Sequence, residues 1–165
     1  PFKNGEILPI FGKDREIIVC YNPALKTTEI TLKKDELLVL TNKADPSVRI
    51  RRFLIDLARE KLTEMALEKA SQLRRRINDV QVKDTRSRWG SCTDDGFISF
   101  SWRLIFAPAK AIDYVVAHEV SHLVHMDHSD NFWRLCERVS KHYEEGKEWM
   151  QLNGHSLMRF GSLSS

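Results

Sequence analysis

Four of the six histidines in this 165-residue chain fall between positions 118 and 128, in the run AHEVSHLVHMDHSDNFW. His118, Glu119 and His122 make an HExxH pattern. Residues four apart on a helix lie one turn above each other, so both imidazoles can reach a single cation. Glu119 projects about 100° around the helix axis. From there its carboxylate can touch a metal-bound water without becoming a ligand itself. Zinc lowers the pKa of such a water toward about 7, and a neighbouring carboxylate can then take its proton. The pattern is short, and a chain of this composition would show it by chance in roughly one to two shuffled sequences per hundred. Context therefore has to carry it. The motif sits inside the helical run AKAIDYVVAHEVSHLVHM, and a third histidine follows at a useful distance.

That third histidine is not the nearest one. His125 continues the stripe of His118 and His122, but it lies roughly 4.5 Å further along the axis than His122 at about 1.5 Å per residue. It points along the stripe, not back toward an ion, and reads as a residue behind the site or on the surface. His128 is better placed if the helix ends near Met126, because a turn at Asp127 can bring it back to the open side. Three neutral imidazoles leave one coordination position for water, as a catalytic zinc needs. The rival third ligand is a carboxylate from a later helix: Glu144, Glu145 or Glu148. The His122-to-His128 spacing equals that of the metzincins, but His125 stands at their glycine and no Met-turn follows, so that assignment fails on its own signature.

The elements that must position these groups are legible in outline. Residues 5–42 read as short strands, with EIIVCY and ELLVLT as β-rich runs punctuated by Gly5, Gly12, Asn22-Pro23 and KKDE. Asp45-Pro46 looks like an N-cap followed by proline at the first helical position. From Pro46 to about Ile77 the spacing of Leu54, Ala58, Leu62, Met65 and Leu73 predicts a helix. Its basic residues, ending in Arg74-Arg75-Arg76, read as a solvated face, with a nucleic-acid stripe as the lesser reading. Residues 80–106 look like a β-hairpin turning at Asp95-Gly96. On its returning strand Ile98, Phe100, Trp102, Leu104 and Phe106 share a buried face, and Ser99, Ser101 and Arg103 share the other. Ala107-Pro108 then opens the motif helix, Ser129 caps another, and a last helix spans Glu144 to Leu152. The fold class expected is α+β in one domain over 1–165. Its parts are an N-terminal β region (1–44) and a helical and hairpin catalytic core (45–165).

Composition bounds the classes. An apolar content of 42% with 30% charged residues is that of a soluble globular protein, and no apolar run is long enough to span a bilayer. Cys20, Cys92 and Cys136 are isolated and odd in number, which argues against a disulfide framework and fits a reducing cytoplasm. The opening PFKNGEILPIFGKDR shows neither a signal pattern nor an initiator methionine, so the start reads as trimmed, with a first strand possible upstream. A net charge of +3 permits a nucleic-acid partner without requiring one.

RSRWGSCTDDGFISFSWRLIFAP followed by IDYVVAHEVSHLVHMDHSDNFW resembles the YgjP-like metallopeptidases, relatives of the SprT-like zinc proteases. The match runs from Arg86 to Trp133 almost continuously. It implies His118, His122 and His128 as metal ligands, Glu119 as the catalytic base and zinc as the cofactor. His128 followed by Phe132 meets the pattern of a third histidine with an aromatic four positions later. Val120-Ser121 departs from the family's usual Leu-Ala or Leu-Cys, on a side facing away from the metal. The resemblance implies a peptide or protein substrate and, through the SprT-like relatives, weakly suggests DNA or DNA-associated proteins.

Trp89-Gly90-Ser91-Cys92 belongs to the same pattern. A bend with a glycine bulge is the favoured reading, and a cleft wall that offers an edge to an extended peptide is the other. Tyr114, one turn before His118, borders the site or packs beneath it, and Cys92 reads as structural. Arg88, Tyr114, His142, Tyr143 and His155 are unranked candidates for stabilising an oxyanion. Two other functions compete with zinc peptidase: a nucleic-acid-associated module with structural zinc, and a zinc hydrolase of a non-peptide amide.

Overall fold

The computed structural model describes residues 1–161, which form an α+β fold of two small sheets and four α-helices. The first sheet comprises β1 (Ile7–Ile10), β2 (Lys13–Tyr21), β3 (Glu29–Leu32) and β4 (Glu36–Thr41), in the order β1-β2-β4-β3. The outer pairs are antiparallel, and the central β2–β4 pair is parallel, with Ile17 opposite Leu37 and Val19 opposite Val39. Alternation along the strands sends Leu8, Ile10, Ile17, Leu37 and Val39 into the core. EIIVCY and ELLVLT thus become the two central strands.

Helix α1 runs from Ser47 to Gln72. Ile50, Leu54, Ala58, Leu62, Ala66 and Ala70 recur every fourth residue and form its buried stripe. Pro46 occupies the cap position expected of Asp45, one residue on, yet the Asp45 carboxylate still accepts from the Ser47 amide at 3.0 Å and the Ser47 hydroxyl at 2.6 Å. The helix stops short of Ile77 because Arg74 turns left-handed at φ 54°, letting the Arg75 amide reach back to the Ala70 carbonyl at 3.0 Å.

The second sheet differs from the single hairpin expected over 80–106. β5 (Asp79–Lys83) pairs in parallel with β7 (Phe97–Ser101), and β6 (Gly90–Cys92) pairs antiparallel on the other side of β7. Only β6–β7 is a hairpin, and Gly96 turns it at φ 88° while Thr93 bonds the Gly96 and Phe97 backbone. The chain from 84 to 89 crosses from one side of β7 to the other.

The strand also ends earlier than its alternation implied. Trp102–Phe106 is a 3-10 segment in which every side chain is buried, including Arg103 at 1% exposure and, just before it, Ser101. Arg103, expected on the polar face, is inside because it has partners there. Its guanidinium meets the Asp84 carboxylate, its Nε donates to the Phe160 carbonyl at 2.8 Å, and it lies 4.8 Å from the Trp102 ring. Arg51 from α1 closes on the same carboxylate.

Helices α2 (Ala109–Ser121), α3 (Asp130–Val139) and α4 (Tyr143–Asn153) follow, with a terminal 3-10 turn at Gly154–Arg159. Lys69, only 9% exposed, ties three helices together. Its ammonium meets Asp113 of α2 at 2.7 Å, and Asp113 also accepts from Ser140 at the end of α3 at 2.8 Å. One apolar cluster runs from Phe2 through both sheets and the helices to Phe160. No described helix is long and apolar enough to cross a membrane.

Burial on its own would raise the Asp84 carboxyl, but the hydrogen bond and charge of Arg103, with Arg51 and Trp102, outweigh it and hold the group below its ordinary range. A depressed folded-state pKa gives stability that is present above the unfolded value and lost as pH falls through the folded one. Asp84→Asn should therefore cost about 2–3 kcal/mol at neutral pH, less than for a wholly enclosed pair because Asp84 is 37% exposed. It should also flatten the acid limb of stability. Urea melts of both proteins between pH 7 and 3 check this, and a variant that keeps the parent's acid sensitivity counts against it.

Candidate metal centre

Helix α2 presents His118 and Glu119 in its last regular turn, and His122 occupies its C-cap position in a still-helical conformation. The helix does not continue to Met126. After Ser121 the amides of His122, Leu123 and Val124 bond three residues back, to Glu119, Val120 and Ser121, at 3.0 to 3.1 Å. Such bonds tighten a helix end, and the chain leaves the axis about one turn earlier than its apolar spacing suggests. The segment from 123 to 127 then has length to swing outward and return. Ser129 stops it by accepting the Phe132 amide at 3.3 Å, as the expected N-cap of α3.

The result brings His118, His122 and His128 together, with one donor atom from each within 4.8 Å of the others. They are the only such group of histidine, cysteine and carboxylate side chains among the described residues. His122 is buried, His118 half-buried and His128 exposed, so the cluster opens to solvent on the His128 side. Aromatics from the first turn of α3 pack round it. Phe132 stacks on His122 at 4.4 Å, Trp133 stacks on His128 at 5.7 Å, and both meet His118 edge-on.

The imidazoles are oriented from behind. His122 Nδ1 lies 3.0 Å from the His125 carbonyl, so a proton there donates the bond and leaves the Nε2 lone pair free for a metal. His125 thus serves through its backbone, behind the cluster, and its ring stays outside the set. Burial, more than any other influence, lowers the His122 pKa, with help from the charges of His118 and His128 and against the His125 bond. The neutral ring that a metal requires is favoured.

Glu119 is 5% exposed and lies beside the cluster, its Oε2 3.1 Å from His118 Nδ1. On its other side stands Gly90 of β6. A Cβ on Gly90 would come within 2.8 Å of Glu119 Cγ and 2.9 Å of its Oε2. Gly90 pairs with Phe100 in the ladder, so it is needed for room and not for the bend expected in WGSC. The segment walls a cleft: Arg88, Trp89 and Gly90 line a space of about 310 Å³ together with Tyr114, His118 and Glu119.

The remaining expected residues divide clearly. Glu145 pairs with Lys110 and lies 3.8 Å from His142, Glu148 lines a separate depression, and Glu144 is exposed, so none joins the histidines. Tyr114 borders the cleft with its ring 6.0 Å from His118, and burial raises its phenol well above the ordinary value. Arg88 lines the cleft too, whereas His142 and His155 are exposed away from it. Tyr143 packs on Tyr114 and Trp133. Burial, then the charge of Glu119, pushes the Cys92 thiol up to about 11, consistent with an inert role.

Sequence reading missed the part of α4 that completes the wall: Lys147, Met150 and Gln151. Their spacing with Tyr143 is that of one helix face, a signal present but without anything to say what that face meets. Gly146 explains the approach, since a Cβ there would fall 2.7 Å from Tyr114 Cβ. Along α1, Arg51, Arg59 and Lys69 are engaged by Asp84, Asp56 and Asp113. Arg52, Arg59, Arg74, Arg75 and Arg76 are exposed, as the solvated face expected of this helix requires, whereas Lys69 departs from it by turning inward at 9% exposure.

A family model described as "YgjP-like, metallopeptidase domain" matches residues 1–153. No curated protein and no solved structure matches the chain.

Gly90→Ala should displace the Glu119 carboxylate and cost about 1–3 kcal/mol by overpacking, while metal uptake through the histidines persists. Denaturant melts and metal titration of the variant check this; a variant as stable as its parent would mean that Glu119 has space to spare.

Proposed function

The chain belongs to the YgjP-like family of metallopeptidase domains, and on that premise we propose a zinc-dependent peptidase in which Glu119 is the general base. The reading is carried by one juxtaposition: three imidazole donors within 4.8 Å of one another, and beside them a buried carboxylate that is not one of the set. His118, His122 and His128 would hold the ion. Three imidazoles suit zinc, and a three-ligand set leaves room for water or substrate. A bound zinc supplies Lewis acidity, which polarises a carbonyl and acidifies a water.

What the chain's own residues do follows from their positions. Glu119, held against β6 by the space at Gly90, accepts a proton from the attacking water and returns it to the departing amine nitrogen. The rings of Phe132 and Trp133 pack against the histidines and fix their planes, while the His128 side stays open to solvent. β6 is the outer strand of its sheet and borders the cleft, so an extended peptide can add to it and pass Glu119 with its backbone aligned. This favours a peptide over a compact non-peptide amide. A purely structural zinc is disfavoured, since such sites are normally closed by four side chains and the cluster among the described residues offers three.

Glu119→Gln should retain zinc and lose peptide hydrolysis by about 10²- to 10⁴-fold, measured as metal content and peptide turnover on the same preparation. Undiminished turnover at full occupancy would remove the assigned base. His128→Ala should lose most of its bound metal under dialysis that leaves the parent loaded.

A further inference from the structure

The cleft beside Glu119 also has an uncompensated charge. The Lys147 ammonium stands 4.0 Å from the centre of the Trp133 ring and 5.5 Å from that of Tyr143, and it donates to the Tyr143 hydroxyl at 3.3 Å. Aromatic faces attract a cation and hold it in place but leave its charge unneutralised. Neighbouring cations are differently placed: Lys69, Lys110, Arg51 and Arg103 each meet a carboxylate. Among the described residues no carboxylate forms an ion pair with Lys147, or with Arg88, which lines the same cleft from the loop before β6. Glu119 is the one acidic side chain in the lining. Trp133 also stacks on His128 and touches His118, so the ammonium is held at a set distance from the histidine cluster.

We propose that Lys147, with Arg88, forms a carboxylate-binding subsite, and that the substrates are peptides presenting a carboxylate next to the cleaved bond. The inference rests on the peptidase reading. An ammonium already partly desolvated by two rings gains more from an anion than a free surface lysine would, and a second cation in the same cleft reinforces it. The carboxylate has two possible sources, an Asp or Glu side chain or the free C-terminus.

Two peptide series on the zinc-loaded protein test the subsite. One exchanges Asp or Glu for Asn or Gln at each position flanking the cleaved bond; the other compares free with amidated C-termini. In the series that matches the true source, kcat/KM should be about 10- to 100-fold higher for the carboxylate-bearing peptide. Lys147→Met, which keeps the apolar stem, should bring that ratio toward one, and Lys147→Arg should largely preserve it. A packing role for Lys147 would lower both rates and leave their ratio intact, which overturns the proposal, as does an absent preference in the parent. Binding of the same peptides to zinc-loaded Glu119→Gln, followed by fluorescence anisotropy, separates the two readings. Carboxylate-dependent binding without cleavage by the parent keeps the subsite and removes the peptidase assignment. Cleavage without carboxylate dependence does the reverse, and neither behaviour removes both.

Discussion

The closeness with which α2 can be approached governs this molecule. On one flank β6 comes so near that only a hydrogen can stand on Gly90, and the space so gained is filled by the Glu119 carboxylate. On another flank α4 comes near through Gly146, which meets Tyr114 Cβ and the Lys110 carbonyl where any side chain would collide. Two missing side chains thus let a strand and a helix close on the element that carries HExxH. Close packing of this kind leaves few alternative rotamers for the groups it encloses, which suits the general base proposed for Glu119.

The platform beneath is held by charges that burial makes consequential. Lys69, Asp113 and Ser140 connect α1, α2 and the end of α3, so the helix bearing His118 and the helix bearing Phe132 share one polar anchor. Asp84, between Arg51 and Arg103, pins the crossing segment between β5 and β6 to α1 and to the 3-10 turn. That segment leads directly into Arg88, Trp89 and Gly90. The two networks lie away from the cleft, yet each fixes one of its walls. Buried ion pairs are weak evidence of net stability but strong evidence of position, because breaking one strands a charge.

The cleft itself combines an apolar, aromatic lining with a few polar groups. Trp133 is the hinge of that arrangement, since it touches His118, stacks on His128 and lies under the Lys147 ammonium. One side chain of α3 therefore links the histidine cluster to the charge on α4. A site of this construction recognises a substrate by a small number of oriented contacts within an otherwise water-excluding surface.

What the sequence by itself determined was whatever depends on local periodicity and local hydrogen bonds. The four-residue spacing of His118 and His122, the buried stripe of α1, the Ser129 cap and the Asp95-Gly96 turn were all legible, and so were the α+β class and the family. Tertiary structure decided what depends on partners distant in the chain. The period-2 pattern through Trp102–Phe106 could not reveal that Arg103 would find Asp84 and turn inward, nor that β5 would lie in parallel on the far side of β7. The swing of His128 depended on α2 ending at Ser121, where the His125 carbonyl turns to His122. Gly90 looked like a bend because glycine is most often needed for its backbone freedom. Here it is needed for its lack of volume against Glu119, and only the packed structure could show what stood 2.8 Å away.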